Sequence, residues 1–378
     1  MMRNMALAIL LSATHAGVSW ASTVAVCEPL KSGDPHLSAR IEQDYREAAT
    51  IAFEHYKVEN PGTTHQLKWC LETADPRQIL ERAATPDVMA IVGFAFSGAA
   101  KIAAQFAEDT RVTYLSPAAA LDELFGGGFV KSLGIPMSKT ATIAAEWLKA
   151  EHPNRPVHML YAGDVAYARL QAQQIKRQLA AAVVEHSYMQ VDEGSLTFGW
   201  LDATSPPVVI LAGYAHHHFQ TLKKLAAIAP KTTFLVTNQW AYAQDFVKSI
   251  IEGSPNIQLF AVSDFAAVAE SFSIDLPSGL KDVMTQSKKR ATKFADDHKS
   301  RFRRDPEAFS YAVYDAVYLA LSNLQNDDKR ETYLKRIDSS RWFAGVSGPV
   351  QIEAGRFTKP GYLLKWNGHR FVPVKMSF

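Results

Sequence analysis

Three groups of side chains have types and spacings that could do chemistry: the run His216-His217-His218, the pair Ser97-Gly98, and the cysteines Cys27 and Cys70. Consecutive histidines cannot all face one ion, and zinc sites draw on spaced ligands. The run therefore reads first as a solvated helix start, next as an anion or ligand contact, and last as a metal site. Ser97 stands where the apolar run Val88–Val92 and its loop enter a helical pattern. Its hydroxyl and the nearby amides suit an anionic oxygen at a helix N-terminus. A serine there can also cap its own helix, and the two roles are compatible. Motifs for catalysis are missing. Gly98 directly follows Ser97, which breaks the Gly-x-Ser-x-Gly nucleophile elbow. No P-loop, dinucleotide Gly-x-Gly-x-x-Gly or His-Glu-x-x-His pattern occurs. Gly126-Gly127-Gly128 follows the helix-like Leu121–Phe125 rather than a strand, so it reads as a loop. The sequence leads us to expect no enzyme, no metal and no cofactor.

The elements that must position these residues alternate. Val24–Cys27, Leu67–Leu71, Val88–Val92 and Val112–Leu115 are β-rich runs, separated by the helical patterns Ala39–Tyr56, Pro76–Ala84 and Ser97–Glu108. A second series follows: helix Lys139–Glu151, strand Val157–Tyr161, helix Tyr167–Ala182, strand Val183–Tyr188, strand Val208–Leu211, helix Phe219–Ala229 and strand Thr233–Thr237. Repeated βα units predict parallel sheets covered on both faces. Two such series predict an α/β fold of two doubly wound lobes. In the last third, Ser287–Arg304 and Pro306–Leu324 read as helices, and Gly348–Phe378 as short antiparallel strands turning at Pro360-Gly361 and Asn367-Gly368. The basic groups Lys288-Lys289-Arg290 and Arg301, Arg303, Arg304 read as a solvated helical face.

A chain of 378 residues is longer than one core usually supports. Lys and Arg number 40 against 38 Asp and Glu, a formal charge of +2, which leaves no electrostatic footprint for nucleic acid. A charged fraction of 21% and a mean hydropathy of −0.10 are those of a soluble globular protein. Arg3, the short apolar run Met5–Leu11 and the small residues of Ser19-Trp20-Ala21 read as a secretory signal peptide, residues 1–21, cleaved after Ala21. Val26 before Cys27 argues against lipidation. Export to an oxidising compartment makes a Cys27–Cys70 disulfide available if their strands are neighbours; two buried free thiols are the alternative.

Five segments, in order along the chain, resemble the type I periplasmic binding proteins of the leucine/isoleucine/valine-binding family. They are Ile91–Ala100, Val112–Ala118, Ala308–Val317, Phe343–Val350 and Lys365–Val374. The resemblance implies two lobes joined by three hinge crossings, near Gly134–Met137, Val262–Asp264 and Gly345–Gly348. Lobe 1 is then 22–136 plus 264–345, and lobe 2 is 137–263 plus 346–378. It also implies a monomeric periplasmic protein that closes on a small organic molecule and delivers it to a membrane ABC permease. Alternatives are a sensor subunit facing a membrane receptor and a secreted hydrolase.

Carried onto this sequence, the family's ligand contacts fall on Ser97, Gly98, Ala118, Ala120, Tyr167, Gly213, Tyr214, Asn238 and Trp240. Amino-acid binders of the family usually place a hydroxyl near Ala120 and an acid near Asn238. A methyl and an amide stand there instead, and a buried ligand ammonium without a carboxylate retains much of its desolvation cost. The departures point to an amide, an aromatic or aliphatic acid, or another small organic molecule rather than a free branched-chain amino acid.

Overall fold

The computed structural model describes residues 21–29, 35–72, 74–179, 183–201, 206–229, 231–237, 244–251, 257–264, 279–326 and 329–377. Five strands form a first, wholly parallel sheet: β1 (Thr23–Pro29), β2 (Gln66–Glu72), β3 (Val88–Gly93), β4 (Thr113–Ser116) and β5 (Val130–Ser132), in the order β2-β1-β3-β4-β5. The short apolar runs Thr23–Glu28 and Val88–Gly93 are buried throughout, as parallel strands covered on both faces must be. Helices α1 (Pro35–Glu59), α2 (Pro76–Ala83) and α3 (Ser97–Thr110) connect them.

After α4 (Met137–Glu151) the chain builds a second sheet from β6 (Val157–Ala162), β7 (Val183–Tyr188), β8 (Val208–Ala212), β9 (Thr233–Val236) and β10 (Gln258–Ser263). These are parallel in the order β7-β6-β8-β9-β10, covered by α5 (Ala166–Leu179), α6 (Phe219–Ile228) and α7 (Gln244–Ile251). The chain continues through α8 (Leu280–Phe302), α9 (Ala308–Ser322) and α10 (Arg330–Ser339). The hairpins β11 (Trp342–Gly345), β12 (Gly348–Glu353) and β13 (Arg356–Thr358) form a small antiparallel sheet, and β14 (Gly361–Trp366) and β15 (Phe371–Ser377) add to the edge of the second sheet at β10.

Each large sheet has a core on both faces. On the first, α1, α9 and the small sheet pack through Tyr45, Ala48, Val317, Val350 and Phe357, while α2 and α3 cover the opposite face through Ile79, Leu80, Ala100 and Phe106. On the second, α4 and α5 supply Trp147 and Ile175 to one face, and α6 and α7 supply Leu222 and Val247 to the other. The expected pair of doubly wound α/β lobes is the fold observed.

The tail is shared between the two cores. Val350, Ile352 and Phe357 pack on the first core, and the chain joins the second sheet in β14, from Gly361. A buried polar network spans this region. The Asp315 carboxylate of α9 accepts the amides of Val346 (2.5 Å) and Ser347 (2.8 Å), and also the Ser347 hydroxyl. Lys359 Nζ donates to Ser347 Oγ at 2.7 Å and lies 3.8 Å from Asp264 Oδ2. Glycine is required at 345, where a Cβ would stand 2.5 Å from Asp315 Oδ2.

Cys27 and Cys70 are register partners on β1 and β2 and are joined as a disulfide with Cα atoms 4.4 Å apart. No described helix is long and apolar enough to cross a membrane. The signal-peptide stretch before Ala21 lies outside the described residues.

Candidate functional site

The carboxyl ends of parallel strands, where loops enter helices, are where open α/β sheets bind ligands. In the first lobe that edge carries the loop from β3 to α3. Gly93 turns it with φ +142, and a Cβ there would stand 1.6 Å from the Cys27 carbonyl oxygen, so only glycine lets the loop pass β1 so closely. Ser97 is the first residue of α3 and is buried. The cap position belongs to Phe96, with no side-chain capping bond, so Ser97 does not serve as the N-cap. An α-helix leaves its first amides without intrahelical acceptors. This start therefore offers amide hydrogens and a partial positive charge to an anion. Gly98 beside it is exposed.

The loop after β4 brings Ala118 and Ala120, both buried, beneath the start of α4, where the Met137 amide donates to the Ala120 carbonyl at 2.9 Å. From the second lobe, Tyr167 near the start of α5 and Tyr214 after β8 stack with ring centroids 4.5 Å apart and planes at 17°. Ala120, Met137 and Tyr167 form one apolar cluster, with Leu121, Val165 and Tyr214 packed against it. Phe96 meets Tyr214 edge-on at 6.3 Å, so side chains of the two sheet systems touch here. Burial pushes the Tyr214 phenol well above its ordinary value, and it stays neutral.

Of the expected residues, Ala120, Tyr167 and Tyr214 share one cluster, and Ser97 follows Phe96, whose ring meets Tyr214. Gly213 stands behind it: its amide is taken by Gln171 Oε1 at 2.8 Å, and a Cβ would come 2.9 Å from that of Ala168. Its part is to let the chain turn at φ +122 so that Tyr214 projects. Asn238 and Trp240 lie outside the described residues. Phe96, Leu121, Met137 and Val165 were not foreseen. Only Phe96 carried a signal, as the aromatic immediately before Ser97.

The histidine run divides three ways. His216 is exposed and nearly parallel to Tyr214, at 5.6 Å and 12°. His218 is fully buried, paired with the Tyr188 hydroxyl at 2.7 Å and the Ala212 carbonyl at 2.9 Å, and burial lowers its pKa to about 3. It is a neutral strut, not part of a solvated helix start. His217 is buried with no hydrogen-bond partner at Nδ1, and burial, followed by His216, lowers its pKa to about 4. Among the described residues, no group of three or more His, Cys, Asp or Glu side chains could hold a metal ion.

Residues 31–370 match the family model described as a periplasmic binding protein, and the chain belongs to that family. No match was found among curated protein sequences. Among solved structures, the chain is similar to the branched-chain amino acid transporter substrate binding protein LivJ from Streptococcus pneumoniae, in complex with isoleucine. That match has 16% identity and a TM-score of 0.74, covering 94% of this chain and 99% of that one. It is also similar to the leucine binding protein LivK from Thermotoga maritima, with 18% identity, a TM-score of 0.71 and coverage of 94% and 98%. A solute binding protein of an ABC transporter from Rhodopseudomonas palustris, in complex with 3,4-dihydroxy benzoic acid, has 14% identity, a TM-score of 0.67 and coverage of 94% and 97%. At these identities the shared property is the fold, and the two bound molecules named, isoleucine and 3,4-dihydroxy benzoic acid, differ in chemistry.

Proposed function

We propose that this chain is the exported, periplasmic solute-binding component of an ABC importer, and that it captures a small carboxylic acid between its lobes. The observation that carries this reading is the stacked Tyr167–Tyr214 pair facing Phe96 beside the open start of α3. The helix start receives the carboxylate, and the rings offer flat apolar surface to an aromatic or aliphatic body. Ala120 places a methyl in this cluster and gives no hydrogen bond to a ligand. A ligand touching both lobes favours the closed arrangement by its differential affinity for it. The lobes turn about crossings near 134–137 and 262–264 and a third that we place at 359–360, between the last tail residues in the first core and β14, and the closed form is what the permease reads. Fold relatives that hold isoleucine and 3,4-dihydroxy benzoic acid support a ligand of this size.

Calorimetry with benzoate, 4-hydroxybenzoate and leucine tests the reading. Binding of an aromatic acid is expected, with leucine weaker. Tyr214→Ala, which removes the stacked face, should lower affinity for the aromatic acid by about tenfold to a hundredfold. Tight binding of leucine alone, or an unchanged affinity in Tyr214→Ala, would overturn it.

A further inference from the structure

Glu28, near the end of β1, lies directly beneath the loop that leads into α3 and is fully buried. Its Oε2 accepts the Ala95 amide at 2.8 Å and the Tyr45 hydroxyl at 2.5 Å. Its Oε1 is buried without any hydrogen-bond partner. The loop above depends on such support, because Phe94 stands in the left-handed region at φ +51. The Phe94 amide donates to the Cys27 carbonyl at 3.2 Å, and its own carbonyl accepts the Tyr114 hydroxyl at 3.0 Å and that of Ser116 at 3.5 Å. Phe96 and the first amides of α3 therefore stand where Cys27, Glu28, Tyr114 and Ser116 hold them. Glu28 is the one member of this set that can change charge.

We propose that Glu28 is a proton-sensitive positioning residue, and that capture of an anionic ligand at the start of α3 takes up a proton at its carboxyl. The inference rests on the carboxylate reading given above.

A buried carboxylate with one unpaired oxygen, and with no cation beside it among the described residues, holds its proton more tightly than one in water. Burial pushes Glu28 up to about 7, opposed by the hydrogen bonds from Tyr45 and the loop amides. Among the described residues, the ionisable groups facing it are Tyr45 on α1 and Tyr114 on β4, both raised by burial and neutral here. Charged groups on the other elements packed around β1 are engaged elsewhere. Arg77 of α2 pairs with Glu81, Arg82 pairs with Glu72 of β2, and Asp315 of α9 holds Val346 and Ser347. β3 carries no ionisable side chain. A bound carboxylate and an ionised Glu28 are then like charges sharing one water-poor loop. Ligand binding strengthens the hold of Glu28 on its proton, and by reciprocity affinity falls as pH rises through neutrality.

Calorimetric titration of benzoate between pH 5.5 and 8.5, in two buffers of different ionisation enthalpy, reads this coupling directly. The wild-type affinity should fall about tenfold across neutrality, with proton uptake on binding. Glu28→Gln should lose both the slope and the proton uptake. Tyr45→Phe, which removes a bond favouring the charged form, should move the fall to higher pH. Benzoate binding whose affinity is independent of pH, or a slope that survives in Glu28→Gln, would overturn the proposal and leave the carboxylate reading standing. No binding by any carboxylate at any pH would sink that reading and this proposal with it. Urea denaturation separates the two failures. With its folded pKa above the unfolded value, Glu28 contributes stability that is full below pH 4.5 and lost as pH rises toward 7. The stability of wild type relative to Glu28→Gln should fall as pH rises over that window, and a constant difference would show that Glu28 does not titrate there.

Discussion

Replacing Lys359 with methionine is expected to lower the unfolding free energy by about 3–5 kcal/mol, as removing one partner of a buried ionic network does. Lys359 is 1% exposed, and Asp264 and Asp315 are fully buried around it. Asp315 keeps its three bonds from Val346 and Ser347 in the variant, but the positive charge that favours its ionised form is gone. Burial already raises the Asp315 pKa, with Lys359 the largest opposing influence, so the variant raises it further. A carboxyl whose folded pKa exceeds its unfolded value loses stability as pH rises. The gap between variant and wild type should therefore be largest near pH 7 and narrow toward pH 5. Urea midpoints measured at both values check this. Equal midpoints at pH 7 would mean that the lysine does not compensate the buried carboxylates.

Removing the disulfide should have an effect of similar size. Cys27 and Cys70 are separated by 43 residues, and in the chain-entropy account closing such a loop contributes about 4 kcal/mol by restricting the unfolded chain. The double substitution Cys27→Ser, Cys70→Ser should cost about 2–4 kcal/mol in urea denaturation, and reductant should lower the wild-type midpoint while leaving the variant unmoved. A loss below about 1 kcal/mol would place the stability of the β1–β2 pair in the surrounding core instead. Because the Cys27 carbonyl carries the Phe94 amide, the substitution also tests how firmly the ligand loop depends on β1.

Most of the fold was legible because parallel strands buried on both faces leave continuous apolar runs, as in Val88–Gly93, and the intervening helices keep one apolar face. Elements with thin patterns were missed. β5 has three residues, Val130–Ser132, one of them a buried lysine. α10 buries only Tyr333 and Ile337, too few for a visible period, and α7 is short. The tail was correctly read as antiparallel, but its partition between two cores depends on long-range packing: Val350 and Phe357 face the first core, and Tyr362 and Leu364 the second.

Of the candidate site, the start of α3 at Ser97 was legible from the β-rich run and loop before it, whereas Tyr167 and Tyr214 came from the family resemblance. Two of its features could not be read locally. The Phe96–Tyr214 contact joins residues far apart in the chain. Glu28, by residue type alone, belongs at the surface, and only the fold buries it beneath the loop. The histidine run shows the reverse case, since its conspicuous sequence conceals a structural role for His218.

The central claim is that a small carboxylic acid binds between the lobes at the start of α3. The most direct measurement is a crystal structure of the full exported chain grown with benzoate. The account predicts ligand density with its carboxylate at the Ser97 and Gly98 amides and its ring against Tyr167 or Tyr214. Density instead in the outer groove lined by Arg77, Lys101, Gln105 and Glu123, with the region between the lobes empty, would contradict it.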